Sequence, residues 1–232
     1  ESLYKAIAFG DADMSICDYI KVEGDGGNEV ENGNYIVLDN VACLKGMYKP
    51  AWHGMEFVAW GKLYNIQLFK KNNICYPEGK IHEDTFVTYK LIYNAKKIVF
   101  TKEILYFYRQ RENSIMTSQF SLKRLDKIEA LRAACLYYEK YKEDDLLSMA
   151  ANDYFQNCIC IYGEMKKYQR KWKTKVFEEK RIIKQYRKDI KIILLKVNLP
   201  IQKKIVYILF GLFPSKQWSK LIFSIKKRLY EK

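Results

Sequence analysis

Residues 83–108 read Glu83-Asp-Thr-Phe-Val-Thr-Tyr-Lys-Leu-Ile-Tyr-Asn-Ala-Lys-Lys-Ile-Val-Phe-Thr-Lys-Glu-Ile-Leu-Tyr-Phe-Tyr108. Two periods meet in this stretch. Phe86, Val87, Lys90, Leu91 and Tyr93 follow helical spacing behind a pair of carboxylates, so the stretch predicts a helix over 84–93. Ile98–Phe100 and Ile104–Tyr108 are short β-branched and aromatic runs, separated by Thr-Lys-Glu, and predict a pair of strands. A helix feeding strands within so few residues is an α/β pattern.

Working outward, Met14–Val22 has the composition of a strand, and the cluster Gly24-Asp-Gly-Gly-Asn28 is a turn leading to a second extended piece, which together predict a hairpin. Residues 35–44 and 51–68 carry no decisive period, although Trp60-Gly-Lys-Leu-Tyr-Asn65 has the mixed apolar and polar character of a site-forming segment. Pro77-Glu-Gly-Lys80 reads as a loop. Beyond Ser121, Leu122, Leu125, Ile128, Leu131 and Cys135 recur every three or four residues, and a second helix is expected over Asp145–Tyr162. The organisation expected is a short α/β portion over 1–120, a helical extension over 121–167 and a basic amphipathic helical tail over 168–232.

Composition narrows the class. With 232 residues and 49% hydrophobic side chains the chain can bury a core, which excludes a disordered tail or a disulfide mini-protein. The six cysteines form no Cys-x-x-Cys pair, and with only His53 and His82 beside them a His/Cys metal centre is not expected. Reduced thiols and an intracellular location fit better. The chain opens at Glu1 with no basic-then-apolar leader, so no signal peptide is expected.

The net charge of +14 is unevenly placed: 20 basic and 22 acidic residues stand up to Gly163, against 21 and 5 after it, or −2 and +16. Such a shift separates a near-neutral globular portion from a basic appendage. Wound as a helix, 182–197 gathers Ile182, Tyr186, Ile190, Ile193 and Val197 within roughly 80°, with Lys180, Lys184, Arg187, Lys188 and Lys191 opposite. Ile205–Phe213 is uncharged but far short of the roughly 20 residues that cross a bilayer, so it would lie in the interface. Trp218, Leu221, Ile222 and Ile225 then recur beside Lys216, Lys220, Lys226, Lys227 and Arg228. Basic faces alone also suit nucleic acid, but the accompanying apolar faces and the lack of a recognition module argue against it. An anionic membrane surface is the leading partner for 168–232, with a packed helical subdomain carrying a solvated basic face as the alternative.

Two clusters carry candidate chemistry. Glu83-Asp84 at a helix start has a bland explanation in the macrodipole and unsatisfied amides. The same position also suits a base that takes a proton from a hydroxyl. Arg109 and Arg111, two apart after a strand, project to one side and would grip a diphosphate, or else form a solvated loop.

Taken together, the order Trp60-x-Lys62-Leu-Tyr, Pro77-Glu-Gly-Lys-Ile-His-Glu-Asp84-Thr-Phe, Tyr106-x-Tyr-Arg109-x-Arg-x-x-Ser114-Ile-Met resembles the C-terminal half of bacterial family-2 glycosyltransferases, inverting enzymes of the GT-A fold. The resemblance covers about residues 1–135 and is specific from Trp60 to Met116. It implies a partial GT-A, Rossmann-like α/β fold with an incomplete sheet, followed by the α-helical basic region. It also implies Asp84 as the general base for the acceptor hydroxyl, with Glu83 shaping the acceptor site. Arg109 and Arg111 would neutralise the departing nucleoside diphosphate, and Trp60 and Lys62 would line the sugar and acceptor pocket.

The implied partners are a nucleotide-sugar donor and a saccharide or lipid-linked acceptor in surface or cell-wall polysaccharide synthesis. The implied location is cytoplasmic, on the inner face of the cell membrane. The family's Mg²⁺ or Mn²⁺ is held by an Asp-x-Asp motif in a nucleotide-binding half that has no counterpart here. Asp11-Ala-Asp13 has the letters but precedes a strand instead of following one. By this reading the chain alone is inactive. The competing reading is a non-catalytic membrane-surface interaction module.

Overall fold

The computed structural model describes residues 1–22, 34–49, 57–109, 120–167 and 175–222. The chain divides into two compact units, Glu1–Gln119 and Phe120–Lys232.

The first unit is built on a four-stranded mixed sheet of β1 (Met14–Val22), β2 (Tyr35–Leu38), β3 (Lys62–Tyr64) and β4 (Ile98–Arg109), in the order β2-β4-β1-β3. β1 and β4 run parallel at its centre, and β2 and β3 are antiparallel edges. The first four residues of β1 are all buried, as a central parallel strand with both faces covered requires. Helices α1 (Ser2–Gly10), α2 (Asn40–Met47), α3 (Gln67–Lys71) and α4 (Glu83–Asn94) complete the unit. Leu91 and Ile92 of α4 join Met14, Ile16, Ile98, Val99, Cys43 and Leu44 in a solvent-free core. α1 crosses the sheet so closely that a Cβ on Gly10 would stand 2.3 Å from the Val99 Cγ2 methyl.

The next described strand, β2, pairs with β4 and not with β1, and the hairpin partner expected directly after the turn falls on 23–33, outside the described residues. The expected pair of strands at 98–100 and 104–108 is a single strand, β4. Its register against β1 slips between Thr101, Ile104 and Tyr106, and the Thr101 hydroxyl accepts the Glu103 amide at 3.2 Å. The polar Thr-Lys-Glu break is therefore a bulge, which interrupts the alternation without ending the strand. Strand partners are set by tertiary packing that a local period does not carry.

The second unit packs α5 (Leu125–Lys140), α6 (Asp144–Lys167), α7 (Lys175–Asp189) and α8 (Ile201–Leu212), with a π turn at Ile190–Leu194 extending α7. Its centre is aromatic: Phe155 stacks on Tyr207 with ring centroids 5.4 Å apart and meets Tyr186 edge-on at 5.1 Å, while Phe210 meets Tyr162 and Tyr186 edge-on. Edge-to-face pairs contribute about 0.5–1.5 kcal/mol each beyond the area they bury. The stripe read from 182–197 exists, but Ile182, Tyr186, Ile193 and Val197 are buried in this core, and Lys180, Lys184, Arg187, Lys188 and Lys191 are exposed. Protein, not lipid, covers that stripe.

Candidate functional site

The segment Trp60-Gly-Lys-Leu-Tyr64 enters two side-chain clusters, one at each end. At Gly61 the backbone turns through the left-handed region (φ +67°), which carries the chain from the Trp60 loop into β3. The Gly61 carbonyl then accepts the Cys17 amide at 2.9 Å and its thiol at 3.4 Å, fastening the turn to β1.

Trp60 is thereby laid flat on β4. Its ring stacks on Tyr106 at 4.3 Å and 9°, and on Tyr108 at 5.4 Å and 25°; Tyr19 of β1 meets it edge-on at 4.8 Å. Tyr106 and Tyr108, two apart on a strand, share one face and make a platform. One face of the indole is therefore occupied by protein. Lys62 donates to the Trp60 carbonyl at 3.4 Å, and its charge is felt by the Cys17 and Cys43 thiols.

At the other end, Tyr64 comes beside α4. Its hydroxyl is closed off from solvent next to Tyr76 and Thr88, and burial pushes its pKa up. Phe69 joins the two phenols, with its centroid 5.7 Å from Tyr64 and 6.1 Å from Tyr76. Glu83 and Asp84 occupy the first turn of α4, and His82 precedes them in the left-handed conformation (φ 58°). Asp84 is half-buried and Glu83 exposed. The Asp84 Oδ1 accepts the Thr85 amide at 2.7 Å, so the bland helix-start role is present.

Among the described residues no lysine or arginine pairs with Asp84, and its second oxygen carries no hydrogen bond. Burial raises the Tyr76 pKa first, and the charges of Asp84 and then Glu83 raise it further, which places this phenol in the field of both carboxylates. Asp84 and Thr88, four apart, lie on the same side of α4 facing the Tyr64–Tyr76 pair.

The structure thus joins Trp60 and Lys62 to a tyrosine platform, and Glu83 and Asp84 to Tyr64 and Tyr76, with β3 linking the two groups. Arg109 ends β4, exposed and in register with Val22. Arg111 lies outside the described residues. Sequence reading passed over Tyr76, one residue ahead of the Pro77 loop. A lone phenol before a proline carries no pattern, and only the fold sets it against α4.

Asp11 and Asp13 do not fit a divalent metal. Asp11 is an exposed C-cap of α1 at φ 45°, and Asp13 accepts the Lys96 amide at 2.8 Å. Among the described residues no three His, Cys, Asp or Glu side chains gather as a metal site.

With this geometry, similarity to known proteins takes on meaning. No family model matches the chain. Over 122 residues, 50% of its length, it is 29% identical to glycosyltransferase GlyA of Streptococcus pneumoniae serotype 4, covering 17% of that protein. Over 131 residues, 53% of its length, it is 28% identical to glycosyltransferase GlyG of the same organism, covering 42% of it. The matched stretch thus spans under half of either relative. The fold resembles residues 1–349 of S. aureus TarS in complex with UDP-GlcNAc, with a TM-score of 0.57 over 97% of this chain and 62% of that one at 16% identity. The chain is glycosyltransferase-like in sequence, and its mixed α/β sheet with attached helices agrees with that class of fold.

Proposed function

We propose that this chain is the acceptor-side portion of an inverting, nucleotide-sugar-dependent glycosyltransferase of the GT-A, family-2 type, acting in the cytoplasm on a saccharide or lipid-linked acceptor in surface or cell-wall polysaccharide synthesis. The observation that carries it is Asp84: a half-buried carboxylate at a helix start, unneutralised by any described cation, with one oxygen held by Thr85 and the other without a hydrogen bond among the described residues. That is the state a general base needs.

In this reading the acceptor hydroxyl gives its proton to Asp84 as its oxygen attacks the anomeric carbon, and the nucleoside diphosphate leaves from the opposite face. Glu83 shapes the acceptor site. Trp60, fixed on its tyrosine platform, offers its remaining face to a sugar ring, and Lys62 lines the same wall. Arg109 and Arg111 neutralise charge on the leaving diphosphate. A nucleotide-binding half would supply the donor platform and any Mg²⁺ or Mn²⁺; the described residues do not offer that ligand set, and no step here is routed through a metal.

The test is Asp84→Asn in the complete gene product. Transfer should fall by about three orders of magnitude or more while nucleotide-sugar affinity changes less than about threefold. Unchanged turnover would remove Asp84 from the mechanism, and a gene product without a nucleotide-binding half would remove the enzyme reading.

A further inference from the structure

α8 reads Ile201-Gln-Lys-Lys-Ile-Val-Tyr-Ile-Leu-Phe-Gly-Leu212 and is apolar on two sides. One side is consumed by the bundle. Tyr207, Phe210 and Gly211 are buried; the Tyr186 hydroxyl donates to the Tyr207 carbonyl at 3.0 Å, and Arg187 Nε donates to the Gly211 carbonyl at 2.7 Å. A Cβ at Gly211 would meet Ile190 Cδ1 at 2.7 Å, so this face is closed by protein. At 100° per residue the opposite side aligns Ile201, Ile205, Leu209 and Leu212 within roughly 80°. All four are exposed, Ile201 to 63% and Leu212 to 59%, and Phe213 (69%) follows directly at the C-terminal end of the helix. Trp218 donates its indole N–H to the Phe213 carbonyl at 3.0 Å, which sets an amphipathic ring at the ridge end.

We propose that this ridge docks the protein on an anionic lipid bilayer, lying flat in the headgroup region. Charge selects the occupant: between Ile190 and Ile222 there are six lysines (191, 196, 203, 204, 216 and 220) and no aspartate or glutamate; Lys196 pairs with Glu139 and Lys203 donates to Asn152, which leaves Lys191, Lys204, Lys216 and Lys220 without an ion pair among the described residues. A second copy related by a two-fold axis would face those lysines with the same lysines, which opposes dimer formation. An anionic lipid surface attracts them, at about 1 kcal/mol per basic residue near the surface. The helix has 12 residues and rises about 18 Å, too short for a hydrocarbon core of about 30 Å, so it lies in the plane of the interface. The ridge differs from the stripe at 182–197, which is internal. This proposal stands apart from the glycosyltransfer reading, since it needs no residue of the first unit.

Flotation of the purified chain with vesicles tests it. Vesicles of phosphatidylcholine containing about one third phosphatidylglycerol should carry the protein, vesicles of phosphatidylcholine alone should not, and added salt should release it. Ile205→Asp with Leu212→Asp should lower the partition constant roughly tenfold or more with the circular dichroism melt unchanged. Lys204→Glu with Lys216→Glu, which leaves the apolar ridge intact, should weaken binding to the anionic vesicles by a similar factor. Equal flotation with both lipids, or anionic binding indifferent to both variants, would overturn the proposal. So would a concentration-dependent dimer abolished by the aspartate pair without any vesicle binding, which would assign the ridge to a second copy.

Discussion

Arg132 of α5 holds Asp189 at the end of α7 in a two-pronged grip, with Nε 2.9 Å from Oδ2 and Nη2 3.0 Å from Oδ1. Asp189 is fully buried, and Tyr154 (2.6 Å) and Gln185 (3.0 Å) donate to the same carboxylate. α5, α6 and α7 thus converge on one charge. The grip also explains how a carboxylate tolerates the interior: four donors replace the water it lost.

Removing the cation should therefore cost more than removing the pair. Arg132→Met leaves a buried carboxylate unneutralised and should destabilise the helical unit by about 3–5 kcal/mol. Adding Asp189→Leu to Arg132→Met should recover a large part of that loss. Urea unfolding followed by circular dichroism measures both, and a double variant no more stable than the single one would contradict the account.

Alkaline pH should weaken the fold. Burial pushes the Cys43 thiol up to about 12 and raises Cys17, Cys135 and Cys158 as well. The unfolded chain releases those protons near pH 8.5, as ordinary thiols do, while the folded chain keeps them. Stability is full below about pH 8.5 and falls as the pH rises towards 12, by roughly 1.4 kcal/mol per pH unit from Cys43 alone. The urea midpoint at pH 10 should lie below that at pH 8. In native buffer a thiol reagent should label exposed Cys75 first and reach the four buried thiols only on unfolding.

Two glycines should respond differently to alanine. At Gly10 the added methyl would lie 2.3 Å from Val99, so helix and sheet must separate, at a cost of about 1–3 kcal/mol. At Gly61 there is room, since the nearest side-chain atom is Cys17 Sγ at 3.5 Å, but φ is +67°. The cost there is conformational, about 1–2 kcal/mol, and Gly61→Asn should recover part of it because asparagine tolerates that region. Equal instability of the alanine and asparagine variants would refute the conformational explanation.

Trp60→Ala should remove the ring that covers Tyr106 and Tyr108. Losing the two stacked pairs and the edge contact from Tyr19 should destabilise the first unit by about 2–4 kcal/mol. Trp60→Phe should retain much of that stability. In the complete gene product the phenylalanine variant should raise the acceptor KM more than it lowers kcat, as expected for a wall and not a base. A pure kcat defect would move Trp60 from the wall to the chemistry.

Elements governed by local spacing were legible. Met14–Val22 is a strand with the expected ends, α4 runs Glu83–Asn94 where 84–93 was expected, and α6 contains 145–162 within a longer helix. In each case one apolar period meets a clear start or stop. Illegible were pairings decided at a distance. β4 looks like two strands because its bulge breaks the alternation, and Tyr76 joins the carboxylates only because a loop folds back on α4. The apolar faces of α7 and α8 look alike in sequence, and only the packing of the bundle buries that of α7 and one side of α8 while leaving the other side of α8 exposed.

Sequence alone determined the α/β start, the helical remainder, the concentration of charge after Gly163 and the residue order that resembles a glycosyltransferase acceptor half. These rest on side-chain type and local period. Tertiary structure decided the rest: β1 lies between β4 and β3, Trp60 lies on a tyrosine platform, Asp84 faces two phenols, and the ridge left to solvent belongs to α8 and not α7. The physical reason is that hydrophobic burial is non-directional. An apolar face states only that it must be covered, and the packing of the whole unit selects what covers it.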